Sequence, residues 1–292
     1  MVSKLKEALS SGQFVITGEV GPPKGVDIEH TLKDAELLKG KVVAVNVTDL
    51  QSSVMRIGSL AVCSLLAQRG IEPIFQMTCR DRNRLALQSD LLSAYILGIR
   101  NVLCLTGDHP ALGDHPGSKP VFELDSVSLL RTVGLLESGK DLAGQELQGA
   151  PKFFRGAVVS PCAEDIGPQL AKMERKLKAG AQFFQTQAVY DIGKFETFIK
   201  EAEKFNVPIL GGIVLLKSAS MAKFMNNNVS GISVPEEIIK SIDVPKDQRL
   251  QKSIEIAVKL INALKSMVQG IHLMPLGWDK YVPEIIEKAK LG

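Results

Sequence analysis

Eight short runs of apolar and β-branched residues recur along the chain, each followed by a helical pattern. This alternation restricts the fold more than any other feature. The runs occupy 14–19, 42–48, 73–78, 101–106, 156–160, 183–187, 208–215 and 270–274. Apolar spacing predicts helices over 32–38, 58–69, 82–97, 126–136, a stretch ending at 178–180, 193–205, segments to 242, 247–269 and 282–290. Parallel strands need a crossover between neighbours, and the helices supply it. Strands that are apolar almost throughout belong to a sheet covered on both faces. Eight such units predict an α/β fold, a closed (β/α)8 TIM barrel, with residues 1–292 as a single domain. A doubly wound open sheet is the alternative, because periodicity does not report closure. Gly18, Gly21 and Gly25 after the first run do not fit GxGxxG, which argues against a dinucleotide-binding Rossmann site.

With 45% hydrophobic residues the chain has enough apolar content for a large core, which excludes disorder for most of its length. A net charge of +3 without a basic run gives no support to nucleic-acid binding. No apolar run approaches the roughly 20 residues that span a bilayer. The first residues read as an amphipathic helix start without the apolar core of a signal peptide. Cys63, Cys79, Cys104 and Cys162 form no CxxC pair and no cluster with histidine, so no zinc ribbon or iron–sulfur run is expected. Buried free thiols and a reducing cytoplasmic location are expected instead. His30, His109, His115 and His272 show neither HxH nor HExxH spacing, and no metal site is expected. His272, inside the last run, reads as a core histidine.

In a barrel the chemistry gathers where strands end. The strand ends here are Glu19, Thr48-Asp49, Gln76 with Thr78, Asp108, Ser160, Gln187, Leu215-Leu216 and His272. Glu19 is the acid–base candidate: apolar surroundings favour the protonated form of a carboxyl, which then donates a proton. The plain alternative is a solvated loop glutamate. Asp108 follows Gly107, which permits tight curvature or close ligand approach, and is equally readable as a turn residue. The Gln187 amide offers a donor and an acceptor to a heterocycle edge, or merely to a neighbouring loop. Arg175 and Lys176 suit a helix C-terminus, or a cofactor phosphate.

Taken together, Gly18-Glu19-Val20-Gly21-Pro22-Pro23, Asn46-Val47-Thr48-Asp49 and Gln76-Met77-Thr78-Cys79-Arg80-Asp81 resemble the methylenetetrahydrofolate reductase family. Leu105-Thr106-Gly107-Asp108, Gly117-Ser118-Lys119-Pro120, Arg175-Lys176 with Ala179-Gly180-Ala181, and Thr186-Gln187 continue the resemblance in register. Gly270-Ile271-His272 closes it. The resemblance implies a flavin-dependent barrel that reduces 5,10-methylenetetrahydrofolate to 5-methyltetrahydrofolate, with the reverse direction open. It implies that Glu19 protonates N10 of the folate, opening the five-membered ring to a 5-iminium cation that takes hydride from reduced flavin. It places Asp108 near both flavin and pterin, Gln187 on the pterin and Phe224 by the benzoyl group. It gives Thr48, Gln76, Gly107, Asp108, Ser160, Arg175 and Lys176 to the flavin. FAD is the implied cofactor, with FMN as the alternative. Many members carry His-Leu-Thr-Cys where this chain has Gln76-Met77-Thr78-Cys79, replacing an imidazole by an amide. The 160–168 segment lacks the aromatic and histidine of some members.

The implied electron donor is NAD(P)H or a redox partner subunit, and an oligomer or heteromeric complex is compatible with the exposed helices of a barrel. The alternative function is a non-catalytic or partner-dependent barrel subunit of a larger one-carbon or electron-transfer complex. Presence of both Glu19 and Asp108 argues for the enzyme. Methyl transfer from a folate would need a cobalamin or metal partner, for which the chain shows no ligand set.

Overall fold

The computed structural model describes residues 2–229 and 231–291. The strands are β1 (Val15–Val20), β2 (Ala44–Val47), β3 (Pro73–Thr78), β4 (Asn101–Leu105), β5 (Phe154–Val159), β6 (Phe183–Ala188), β7 (Ile209–Val214) and β8 (Gly270–Met274). They pair in sequence order, all parallel, and close into one barrel. Closure is the ladder between β1 and β8, with Val15 opposite Gly270 and Thr17 opposite His272. The open-sheet alternative is thereby excluded.

The first helix, α1 (Lys4–Ser10), precedes the barrel. Around the barrel run α2 (Glu29–Leu38), α3 (Ser59–Gln68), α4 (Arg84–Ile96), α5 (Ser126–Glu137), α6 (Gly167–Lys178) and α7 (Ile192–Ala202). The ring is completed by α8 (Ala219–Asn228), α9 (Glu236–Ile242), α10 (Arg249–Leu264) and α11 (Val282–Lys288). Local chemistry sets several helix starts. Asn83 caps α4, Asp125 forms a capping box with Ser128 on α5, and Asp191 and Ser218 cap α7 and α8. The helix expected over 247–269 stops at Leu264, where the chain turns to reach β8.

Alternation along each strand divides the apolar residues into two cores. Outward side chains such as Val45, Phe75, Val102, Ile213 and Ile271 pack under the helices. Inward side chains Val15, Ala44, Ile74, Leu103, Phe154, Phe183 and Leu210 fill the barrel near the strands' N-terminal ends. Phe154 and Phe183 stack there at a centroid distance of 4.7 Å. Helix α1 belongs to this inner core, contributing Leu5, Ala8 and Leu9 as the barrel floor. Ser3 Oγ donates to Asn101 Oδ1 (2.5 Å) and the Leu5 amide donates to Glu72 Oε1 (3.3 Å), fixing the floor to β4 and to the start of β3.

Two residues further along β1, β2, β3 and β6 the same inner face turns polar. Val15 is followed by Thr17 and Glu19, Ala44 by Asn46, Ile74 by Gln76, and Phe183 by Gln185 and Gln187. The barrel thus runs from an apolar floor to a polar mouth. Leu5 is fully buried in that floor. Leu5→Ala is expected to lower unfolding stability by about 2–4 kcal/mol, read by urea denaturation.

Candidate active site at the barrel mouth

Five inner residues from four strands form one hydrogen-bonded layer. Glu19, at the end of β1, is only 8% exposed. Gln76 Nε2 donates to Glu19 Oε2 (3.3 Å) and to Asn46 Oδ1 (3.4 Å). Asn46 Nδ2 donates to the Gly18 carbonyl (3.3 Å) and lies 3.3 Å from His272 Nδ1. Thr17 Oγ1 lies 3.1 Å from the same ring nitrogen. His272 Nε2 in turn faces Glu19 Oε2 at 3.4 Å. All five side chains are buried, and the mutual bonds offset a desolvation cost that each alone would carry in full. This corrects the expectation of apolar surroundings for Glu19. Its carboxyl faces an amide and an imidazole, because β3 and β8 each present a polar inner residue at its height.

Past β8, the turn Asp279–Tyr281 buries Asp279 to 6% exposure. Burial pushes the Asp279 carboxyl up to about 6, reinforced by the charges of Asp34 and Glu19 and opposed by its own backbone N–H and by His30. His30 and Asp34 pair at 2.8 Å on α2.

The loops around the mouth are fixed by two arginines. Arg80, 2% exposed, holds Asp81 with Nε 3.0 Å from both carboxylate oxygens. Its other nitrogens donate to Ser53 Oγ (3.0 Å), the Leu50 carbonyl (3.2 Å) and the Asp108 carbonyl (3.3 Å). Ser53 Oγ also donates to the Asp108 carbonyl (3.0 Å). The β2–α3 loop needs this support, since Leu50, Ser52 and Ser53 all have positive φ. Gly107 has φ +92°, and a Cβ there would meet Thr78 Cβ at 3.1 Å and Arg80 Cβ at 3.2 Å, so the approach of this loop to β3 requires glycine. Arg82 grips buried Asp49 from both nitrogens (2.7 and 3.1 Å), and Thr78 N and Oγ1 each donate to it at 2.9 Å. Burial alone would raise the Asp49 carboxyl, but Arg82 and Thr78 outweigh it and hold it below its ordinary value.

The profile of the methylenetetrahydrofolate reductase family matches residues 4–290. The chain belongs to that family. Over 311 aligned residues it is 25% identical to methylenetetrahydrofolate reductase 2 of Schizosaccharomyces pombe, covering 98% of this chain and 47% of that protein. It is also 25% identical to the 5,10-methylenetetrahydrofolate reductase of Pectobacterium carotovorum, covering 91% of this chain and 86% of that protein. The chain therefore spans about half the length of the larger relatives it matches. In fold it is similar to an uncharacterised Clostridium thermocellum protein, described as binding two copies of 5-methyl-5,6,7,8-tetrahydrofolic acid. That likeness has a TM-score of 0.62 at 18% identity and covers 99% of this chain and 97% of that one.

The flavin of the methylenetetrahydrofolate reductase family offers a test of the mouth. Thr48 Oγ1 is buried and has no hydrogen-bond partner among the described residues, which leaves a polar atom for a ligand to satisfy. Lys176 is half-buried, with Nζ donating to the Val158 carbonyl (2.6 Å). Burial, with the neighbouring cations Lys172 and Arg175, lowers its ammonium to about 8, a state that an anionic group would relieve. These residues fit a phosphate-bearing cofactor. Arg175 is exposed in the last turn of α6, and half-buried Ser160 packs against Gly231. Asp108 is exposed, with its carbonyl held and its carboxylate without a protein partner among the described residues. Gln187 is half-buried, and Phe224 is 60% exposed on α8. Of the predicted residues, Glu19 and Gln76 are brought into direct contact.

Sequence reasoning missed Asn46, Asp279 and the contact of His272 with Glu19. His272 is a buried, satisfied histidine as read, but 255 residues separate it from Thr17 and no local spacing reveals the pairing. Asp279 carries a pH signature. Its carboxyl is raised above the ordinary 3.8, so the folded state binds more protons than the unfolded chain between roughly pH 4 and 6. Its stabilising contribution is complete below that window and is lost as pH rises through it. Asp279→Asn is expected to raise the melting temperature at pH 7.5, by on the order of 2 kcal/mol of stability, and to change little at pH 4. Thermal denaturation at both pH values reads this.

Proposed function

We propose that this chain reduces 5,10-methylenetetrahydrofolate to 5-methyltetrahydrofolate with a flavin, FAD in preference to FMN. The observation that carries the reading is Glu19. It places a buried carboxyl at the mouth of a barrel whose sequence belongs to this family. The fold neighbour that binds 5-methyl-5,6,7,8-tetrahydrofolic acid supports a folate in the same architecture.

Glu19 transfers its proton to N10 of the folate. The bond between N10 and the bridging carbon breaks, its electron pair stays on N10, and a 5-iminium cation remains. The Asp108 carboxylate, without a partner among the described residues, stabilises that positive charge electrostatically. The Gln187 amide orients the pterin through its donor and acceptor. Bound reduced flavin supplies the hydride that converts the iminium carbon to a methyl group. Thr48, Gln76, Gly107 and Ser160 line its seat, and Arg175 with Lys176 meets its phosphates. Two adjacent cations suit the pyrophosphate of FAD. Phe224 packs against the benzoyl group. Electrons come from NAD(P)H or from a redox partner subunit. Four buried free cysteines suit a reducing cytoplasmic setting, with burial pushing the Cys79 and Cys162 thiols up to about 12.

Glu19→Gln is expected to leave flavin binding and flavin reduction intact while slowing the folate half-reaction by about 100-fold or more. Stopped-flow absorbance of the two half-reactions separates them, and undiminished folate turnover would overturn the acid assignment. Reduction by NADH in the same instrument identifies the donor, since a flavin that NADH does not bleach requires a partner.

Lys176 generates a second expectation. A cationic Lys176 attracts the cofactor phosphate, so flavin affinity is full below about pH 8 and weakens as pH rises through that value. Lys176→Met is expected to weaken binding and flatten this dependence, measured by fluorescence titration.

A further inference from the structure

Hydrogen-bond direction can be followed through the polar layer atom by atom. The Gly18 carbonyl can only accept, so the Asn46 atom facing it is the amide nitrogen. That nitrogen also faces His272 Nδ1, which must therefore accept. Thr17 Oγ1 reaches the same nitrogen and has its hydroxyl proton available for it. With Nδ1 occupied as an acceptor, the neutral ring carries its proton on Nε2. Nε2 lies 3.4 Å from Glu19 Oε2.

Gln76 reaches the same carboxyl oxygen. Asn46 Oδ1 accepts from Gln76, which fixes the Gln76 nitrogen toward both Asn46 and Glu19. Gln76 thus donates to Oε2, His272 Nε2 stands 3.4 Å from the same oxygen, and Oε1 has no hydrogen-bond partner among the described residues. When Glu19 carries the proton that the proposed reaction requires, the oxygen facing these two N–H groups is the carbonyl one, and the acid proton resides on the other.

We infer that His272 is a positioning residue which, locked by Thr17 and Asn46 as the Nε2–H tautomer, holds Glu19 so that its transferable proton sits on Oε1. The inference deepens the proposed reaction and rests on Glu19 being the general acid. It assigns the delivering atom and makes β8 part of the proton-transfer machinery. After transfer, Gln76 stays bonded to the carboxylate, and His272 beside it keeps it from rotating before it is reprotonated. The titratable groups facing Glu19 are His272 itself and Asp279, whose carboxyl responds to the Glu19 charge.

The first test needs no variant to turn over. Protein with 15N-labelled histidine is examined by long-range proton–nitrogen correlation, and His272→Gln assigns the signal among the four histidines. An Nε2–H tautomer for His272 at neutral pH is expected. An Nδ1–H tautomer or a doubly protonated ring overturns the inference.

The second test is kinetic. His272→Phe removes the donor and is expected to slow the folate half-reaction by about 10-fold or more and to shift its pH profile, with flavin reduction unchanged. His272→Gln, whose amide nitrogen can stand where Nε2 stood, is expected to recover most of the rate. An unaltered folate rate and pH profile in folded His272→Phe overturns the inference. Should His272→Phe fail to fold, Thr17→Val removes one donor to Nδ1 and is expected to loosen the tautomer preference in the same spectra; no change there counts against the lock. Glu19→Gln keeps the two claims apart. Full folate turnover by that variant removes the general acid itself, whereas its inactivity alongside silent His272 variants removes only the positioning role.

Discussion

Val15, Ile16 and Thr17 pair with Gly270, Ile271 and His272, joining the two ends of the chain in one wall. Without that ladder β1 and β8 are sheet edges, and the inner face has no inside. With it, Thr17 and Glu19 stand beside His272, and a layer that would be a solvated patch on an open sheet becomes a buried network. Polar side chains tolerate such burial only when their partners are in place together. Closure and site are therefore one structural event.

The two arginines act at a different level. Arg82 ties the end of β2 to β3 and α4 through Asp49 and Asp90. Arg80 ties the β2–α3 loop to the β4–α5 loop through carbonyl oxygens. Both keep their charges inside the protein by placing an acceptor beside every guanidinium nitrogen. The loops that carry Asp108 are thus shaped by main-chain contacts with a buried guanidinium, and the carboxylate of Asp108 is left for a ligand. Rigid strands supply the acid, and pinned loops supply the charge above it.

Much of this was legible in the chain. The eight apolar runs marked every strand within a few residues, because a parallel strand buried on both faces must be apolar almost throughout. Strand ends pointed to Glu19, Gln76 and Gln187, since polar residues that terminate such runs gather at one end of a barrel. What stayed hidden depends on contacts between distant segments. Glu19 read as a carboxyl among apolar neighbours because its flanking residues are apolar, whereas its real neighbours come from β3 and β8. Asp279, marked by no strand end and no motif, is buried by the turn after β8. Arg80 belonged to a recognisable motif, but its hold on Leu50, Ser53 and Asp108 follows from the backbone path of two loops. Strand spacing also left open whether the sheet closed at all.

Closure between first and last strands has a consequence for synthesis. Synthesis runs from N- to C-terminus, so α1 and β1 are made before the other elements of the barrel. Ser3 must wait for Asn101 and Leu5 for Glu72 before the floor can be sealed. Thr17 waits longer, since its partner His272 lies 255 residues downstream. Throughout that interval one side of β1 is a bare, apolar strand edge, the kind of surface that recruits foreign strands. The strand that carries Glu19 therefore stays unshielded on one side until β8 has been made.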